Sequence, residues 1–93
     1  MNEKNEVLLE QHEYDISNVQ ELERELSALQ PGSATIDVSN VRYMDTTALR
    51  AFMQLGKDFS AKNPGARITL RRAGPSMRRI FEVVGLGQMF EIE

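Results

Sequence analysis

The apolar and polar positions along the 93-residue chain predict seven segments in the order β-α-β-α-β-α-β. Four of them are predicted strands, at residues 7–12, 34–39, 67–71 and 89–93. In the second and third strands every other residue is apolar, which is typical of a strand with one buried face. Strands separated by single helices favour parallel pairing with right-handed crossovers. We therefore predict an α/β fold with a small, mostly parallel mixed sheet and helices mainly on one face.

Three helices are predicted from apolar residues that recur at steps of three and four. These residues are Ile16, Val19, Leu22, Leu26 and Leu29 in the first helix, Leu49, Phe52, Met53, Gly56 and Phe59 in the second, and Ile80, Phe81 and Val84 in the third. Asp15 or Ser17 is predicted to cap the start of the first helix, because short polar side chains accept from free backbone N–H groups. Pro75 suits the first position of the third helix, and Gly85 its C-terminal cap.

Length and charge limit the class of protein. The chain is long enough for one domain, predicted at residues 6–93 after a flexible N-terminus at residues 1–5. Its net charge of −3 argues against a direct nucleic-acid binder. Zero cysteines exclude disulfides, thiolate metal sites and thiol nucleophiles. With no signal peptide and no apolar run of about 18 residues, we expect a cytoplasmic chain without membrane insertion.

The sequence offers no recognisable catalytic site. The single histidine, His12, has no serine or cysteine partner at a known spacing, and the carboxylates do not form a metal-ligand or acid/base pair. Gly85-Leu86-Gly87 follows a predicted helix rather than a strand, so it is interpreted as a turn and not as a dinucleotide fingerprint. We therefore predict a non-enzymatic protein with no catalytic residue, no metal and no cofactor.

Four arginines lie within nine positions around the turn before the third helix: Arg71, Arg72, Arg78 and Arg79. Such a cluster could bind a phosphate or an acidic partner. The favoured interpretation is a solvated turn and polar helix face whose charges pair with nearby acids.

A second polar cluster lies at residues 41–49, "VRYMDTTAL". Asp45 is predicted to cap the second helix and to place Thr46 and Thr47 in its first turn. Capping alone would explain the triplet. Alternatively, a phosphoryl group on Thr46 would be stabilised by the free N–H groups there, and its charge could repel an acidic partner. If exposed, the flanking Met44 and Met53 would suit an adaptable partner surface.

Three segments in order resemble one known family. "EYDISNVQELERELSAL" resembles its entry into the first helix, and "ATIDVSNVRYMDTTALRAF" resembles a buried strand and loop before a helix opened by an acid and two hydroxyls. "RITLRRAGPSMRRIFEVVGLGQMFEIE" resembles the closing strand, proline-started helix and final turn. From about residue 13 to 93, the chain thus resembles a STAS domain of the anti-sigma factor antagonist type.

The resemblance implies roles for particular residues. Thr46 matches the phosphoacceptor of the family, and Thr47 matches a second hydroxyl that can be an alternative site. Asp45 matches an acid that shapes the loop and helps kinase recognition. Asp15 and Asp37 match acids near the same end of the sheet. All five are expected to contribute to partner binding.

The resemblance also implies partners. An unphosphorylated family member of this kind binds an anti-sigma factor, a serine/threonine kinase with a histidine-kinase-like ATP fold. Phosphorylation by that kinase ends the interaction, and a PP2C-type phosphatase restores it. ATP therefore belongs to the partner. Arg50 and Met53 on the second helix are expected to extend the docking surface.

Two other functions stay open. One is a constitutive scaffold subunit that is never phosphorylated, similar to the small STAS component of bacterial lipid-transport ATPases. The other is a sensor module that binds a small ligand in a surface cleft.

The chain departs from the family pattern at three places. Ala48 stands where a glycine is usual, which narrows the backbone's options. The acceptor is threonine rather than the commoner serine. The chain ends at Glu93 without the family's closing helix, which would expose apolar surface and favour a weak homodimer or capping by a partner.

Overall fold

The structure, a computed structural model, describes residues 5–93. It contains six strands, three α-helices and a short 3-10 helix. The strands are β1 (Glu6–Leu8), β2 (Glu13–Tyr14), β3 (Ala34–Asp37), β4 (Tyr43–Met44), β5 (Ile68–Arg71) and β6 (Glu91–Ile92); the helices are α1 (Val19–Leu26), α2 (Thr46–Lys62), α3 (Pro75–Val83) and the 3-10 helix Leu86–Gln88.

The main sheet has the strand order β1-β3-β5-β6, and every one of these neighbouring pairs is parallel. Its register places Val7, Ile36, Leu70 and Ile92 side by side across the sheet. Each connection between parallel strands passes through at least one helix, as parallel pairing requires. The predicted α/β fold with a mostly parallel sheet is therefore confirmed.

The two faces of this sheet differ in character. Ile36 and Leu70 point into a core that also contains Leu22 of α1, Phe52 of α2 and Phe81 of α3, so the helices cover this face. The opposite face carries the half-buried Thr35 and Thr69 in one row, between Glu6 and Glu91. Ion pairs from Arg71 to Glu6, at 3.4 Å, and from Arg67 to Glu91 cross that face. Helices lie mainly on one face, as predicted.

A second, two-stranded ladder was not predicted. β2 and β4 pair in parallel, with Glu13 beside Tyr43 and Tyr14 beside Met44. Two residues are too few to show the alternation by which strands are recognised in a sequence. The ladder matters because β2 leads into α1 and β4 leads into α2, so it holds the starts of both helices together.

The predicted start of α1 is wrong. The helix begins after Asn18, and Ile16 is 74% exposed instead of lying on the buried stripe. Asp15 is engaged in its own turn: its Oδ1 accepts from the Ser17 N–H at 2.9 Å and from the Ser17 hydroxyl at 2.5 Å. The Asp15 N–H donates to Asn18 Oδ1 at 2.7 Å. This turn holds Ile16 outside the helix.

The two terminal strands are shorter than predicted. β1 covers residues 6–8 rather than 7–12, and the final strand covers 91–92 rather than 89–93 because the 3-10 helix extends to Gln88. Leu8 is 48% exposed, since it points to the polar face of the sheet, whereas Leu9 is buried after the strand ends.

α3 begins at the predicted residue and ends one residue before the predicted apolar stripe does. Pro75 is its first residue, and Gly85 follows the cap with φ +83°, a left-handed conformation that glycine adopts without strain. The predicted apolar stripe is wrong at Val84, which is 36% exposed because the helix ends at Val83. Met77 and Phe81 are the buried residues.

The predicted flexible N-terminus at residues 1–5 lies outside the described residues, apart from Asn5. The Asn5 carbonyl accepts from the Thr35 N–H at 2.9 Å, and its side-chain amide donates to the Gln30 carbonyl at 2.7 Å. Within residues 5–93, no helix is both long and apolar enough to cross a membrane.

Candidate functional site

Asp45 joins the start of α2 to the loop that precedes α1. Its Oδ1 accepts from the Ala48 N–H at 2.9 Å, and its Oδ2 accepts from the Ile16 N–H at 3.1 Å. Its own N–H donates to the carbonyl of Tyr14 at 3.1 Å. The predicted N-cap is therefore confirmed, and both carboxylate oxygens are occupied by backbone donors.

Thr46 and Thr47 are the first two residues of α2. The Thr46 side chain is exposed and that of Thr47 is half-buried. Asp45 caps the third N–H of the helix and leaves the first two, those of the threonines, without a hydrogen bond among residues 5–93. Neither hydroxyl is hydrogen-bonded within this range. The site thus presents an accessible hydroxyl beside unpaired N–H donors at the positive end of a 17-residue helix.

Ala48, which stands where a glycine is usual in the family, is completely buried as the third residue of α2. Its backbone is helical, so the conformational freedom of glycine is not needed at this position. Alanine instead places a methyl group in the core next to the two threonines.

The other two predicted acids, Asp15 and Asp37, differ in whether hydrogen bonds connect their segment to the start of α2. Asp15 directly precedes Ile16, whose N–H is bound by Asp45, so the two acids share one loop region. Hydrogen bonds from the Ser17 hydroxyl and N–H lower the pKa of Asp15 below its usual value. The structure therefore brings Asp15, Asp45 and the threonine pair together.

Asp37 ends β3 and is 6% exposed. Burial by itself raises its pKa, but hydrogen bonds from Ser39 and the charges of Arg72 and Arg71 outweigh that effect, so the pKa lies below the usual value. In the described part of the chain, no hydrogen bond or ion pair joins Asp37 to Asp45 or to either threonine. It stands at the same end of the sheet but in a separate cluster.

Arg50 and Met53 follow Thr46 by four and seven positions on α2, a spacing that places all three on one side of a helix. Arg50 is exposed and Met53 is half-buried. Met44 is only 3% exposed, so it belongs to the core and offers no partner surface.

Two exposed apolar residues beside the threonines were not predicted as part of the site. Ile16 is 74% exposed and Tyr43 is 49% exposed. Ile16 is hydrogen-bonded to Asp45 through its backbone, and Tyr43 lies two residues before Asp45. The sequence predicts a buried Ile16 because this residue falls at helical spacing with Val19. No sequence pattern marks Tyr43 as an exposed residue of the site.

The arginine cluster divides into two halves. Arg71 lies 3.4 Å from Glu6, and Arg72 Nε lies 3.5 Å from Asp37 Oδ2, which supports the predicted pairing with nearby acids. Arg78 and Arg79 are exposed on α3 and form no ion pair with any residue from 5 to 93. His12 is exposed at the end of a loop, with Nδ1 3.0 Å from the carbonyl oxygen of Asn40.

Comparison with known proteins places this geometry in a family. The family model described as "Mlab, STAS domain" matches residues 7–91. A search of curated proteins finds no significant match. A solved structure described as "Structure of the Anti-Sigma Factor Antagonist SpoIIAA in its Unphosphorylated Form" superposes with a TM-score of 0.64 at 14% sequence identity, over 100% of this chain and 83% of the other. That likeness shows the fold, and the family match covers nearly the whole chain. The chain belongs to the STAS domain family.

Proposed function

We propose that the chain is a phosphorylation-gated partner-switching protein, an anti-sigma factor antagonist whose switch is Thr46. In the unphosphorylated form it binds a serine/threonine kinase of the anti-sigma factor type, and phosphorylation releases it. The observation that carries the proposal is the exposed Thr46 hydroxyl at the first position of α2, directly after a fully bonded Asp45. The shared fold with an anti-sigma factor antagonist supports it.

The start of α2 suits a phosphoryl group. Phosphorylation of Thr46 adds about −1.5 to −2 charge and three acceptor oxygens. The unbonded N–H groups of Thr46 and Thr47 and the positive end of the helix stabilise that charge. Arg50 stands one turn further along, within reach of an (i, i+4) ion pair. Because Asp45 keeps both of its backbone bonds, the modification leaves the fold in place.

The same phosphoryl group changes the surface that a partner meets. Ile16 and Tyr43 on one side of Thr46, and Arg50 and Met53 on the other, form an apolar and basic docking surface in the unphosphorylated protein. A phosphoryl group in its middle adds negative charge beside Asp45 and Asp15 and pairs with Arg50. A partner that uses Arg50 as a contact and approaches with acidic groups is repelled, while a PP2C-type phosphatase resets the surface.

The test combines the protein with its cognate kinase and ATP and locates the modification by mass spectrometry. Thr46→Ala removes the acceptor, and Thr47→Ala is the matched control because it leaves the Thr46 hydroxyl in place. We expect one phosphoryl group per chain in the wild type and in Thr47→Ala, and none in Thr46→Ala. Thr46→Glu should bind the kinase at least tenfold more weakly than wild type, which corresponds to about 1.4 kcal/mol. Phosphorylation of Thr46→Ala would place the switch elsewhere.

A second candidate is a constitutive STAS scaffold subunit that is never phosphorylated. It is favoured by the description of the matching family model, which specifies a STAS domain and not an antagonist. In that case Thr46 is an interface contact. Two experiments separate the two functions. One purifies the native complex, and the other measures how tightly the Thr46→Glu variant binds the partner found in it. A subunit would co-purify with the same partner in the presence or absence of ATP, and its threonine would carry no phosphate.

A further inference from the structure

A cleft of about 400 Å³ opens on the helical side of the fold, at the end of α2 remote from the threonine pair. Its floor consists of residues that are almost fully buried, among them Ile36, Phe52 and Phe90, and its walls include Leu29, Leu55 and Phe59. Gly56, which also lines it, lies about 15 Å along the helix axis from Thr46. The cleft therefore lies apart from the proposed docking surface.

The cleft exists because the two helices beside it differ in length. α1 has 8 residues and ends at Leu26, whereas α2 has 17 and continues past it to Lys62. The chain after α1 returns to the end of α2, where the Gly32 N–H donates to Asn63 Oδ1 at 3.3 Å and closes one end of the opening. What is left is a space lined by core side chains, within the size range of small-molecule sites.

The polar groups at the mouth of the cleft are nearly all engaged. The Ser27 hydroxyl donates to the Arg24 carbonyl at 2.6 Å, and the Asn63 amide donates to the Phe59 carbonyl at 2.9 Å. Asp58 accepts from the Gln54 amide at 3.0 Å. Lys62 is the exception, because its ammonium forms no hydrogen bond or ion pair with any residue in the described range 5–93.

We propose that this cleft binds an amphipathic monoanion, a carboxylate with an alkyl tail, with the tail in the cleft and the carboxylate on Lys62. Filling the apolar space removes its lining from water. Among residues 5–93, Lys62 is the cleft-lining cation that no acid pairs with, so it complements a single negative charge, and the Asp58 carboxylate that also lines the cleft disfavours a second one. The site is independent of Thr46 phosphorylation.

The experiment titrates octanoate, and separately its neutral counterpart 1-octanol, into the isotope-labelled chain by two-dimensional NMR. We expect saturable shifts confined to the amides of cleft residues such as Leu29, Gly56 and Phe90. Lys62→Gln should weaken octanoate binding about tenfold, equivalent to about 1.4 kcal/mol, and leave 1-octanol binding unchanged. Lys57→Gln is the matched control, since Lys57 is an exposed lysine of the same helix that does not line the cleft.

A fluorescent reporter supplies a second measurement. The chain contains no tryptophan, so Phe59→Trp places a single tryptophan in the cleft wall, whose emission can be excited apart from that of the two tyrosines. Its emission should change with octanoate at the concentration at which the NMR shifts saturate. The proposal is overturned if no saturable change occurs by either method, or if Lys62→Gln and Lys57→Gln bind octanoate alike. Shifts of the same amides with protein concentration alone would identify a second copy of the chain as the occupant and would also overturn it.

Discussion

The carboxylate of Asp45 accepts a hydrogen bond from the backbone N–H of Ile16, 29 residues earlier in the chain. Its other oxygen caps α2 through Ala48. A single side chain thus fixes both the first turn of the helix that carries Thr46 and the exposed loop beside it. The proposed acceptor and the apolar residue next to it are held in one arrangement by this acid.

Replacement of Asp45 should therefore cost more than an ordinary helix cap. Asp45→Ala leaves two backbone donors without partners, and we expect the free energy of unfolding to fall by about 2 kcal/mol. Asp45→Asn keeps one oxygen acceptor and should lose about half as much. Urea denaturation measures both, with the exposed Asp58→Ala on the same helix as the control. Equal losses for all three variants would contradict the bridging role.

We predict that the protein loses stability in alkali because the Tyr14 hydroxyl is held protonated in the fold. It is buried and donates to Glu25 Oε1 at 2.5 Å, and burial together with this bond raises its pKa far above the usual 10.0. The folded protein therefore holds this proton more tightly than the unfolded chain. The contribution of this hydroxyl to the free energy of unfolding is fully present below about pH 10. It is lost as pH rises further, by up to about 1.4 kcal/mol per pH unit.

The test compares Tyr14→Phe with wild type in urea across that range. At neutral pH the variant should be less stable by about 1 to 2 kcal/mol, because a hydrogen bond to a charged acceptor is lost. Above pH 10 the difference should shrink, since phenylalanine has no proton to lose. Tyr43→Phe is the control, as that ring is 49% exposed. A gap that stays constant with pH would show that Tyr14 is not the titrating group.

Gly56 is required by the close approach of Phe90. A Cβ at this position would lie 2.5 Å from Phe90 Cζ, closer than any real contact. Alanine is a better helix former than glycine by about 1 kcal/mol, but overpacking costs about 1 to 3 kcal/mol. We expect Gly56→Ala to lower stability by about 1 kcal/mol. A double-mutant cycle with Phe90→Leu should recover part of this loss, and strict additivity would argue against the clash.

We predict that the protein loses stability in acid as the Asp37 carboxylate becomes protonated. Its pKa lies below the usual 3.8, so its stabilising contribution is present above that value and is lost as pH falls through the folded pKa. Asp37→Asn still accepts from Ser39 but loses the ion pair with Arg72, which should cost about 0.5 to 1 kcal/mol at neutral pH.

Thermal unfolding from about pH 6 down to about pH 2 measures the effect, because the two proteins should converge once the wild-type carboxylate is protonated. Asp58→Asn controls for the change in net charge. A difference between Asp37→Asn and wild type that persists at the lowest pH would instead indicate a packing effect.

Local chemistry explains which features could be predicted from the sequence. The cap at Asp45, the helix start at Pro75 and the left-handed turn at Gly85 each depend on one residue and its immediate neighbours. The parallel sheet follows from the alternation of strands and helices. These predictions are confirmed, because nothing distant in the chain competes with them.

The features that were missed depend on distant contacts. The β2–β4 ladder pairs residues 30 positions apart and is two residues long, so neither strand shows a pattern of its own. Ile16 and Val84 lie at helical spacing but just beyond the helix ends, where the repeat no longer dictates burial. The cleft beside α2 arises from the difference between two helix lengths, which the periodicity does not fix.

The outer strands of the main sheet are very short, with three residues in β1 and two in β6. They offer an incoming chain few unpaired backbone groups on which to extend the sheet, and Glu6 and Glu91 place a charge on each of these edges. Among residues 5–93 no helix covers the polar face of the sheet, yet these short, charged edges disfavour edge-to-edge aggregation.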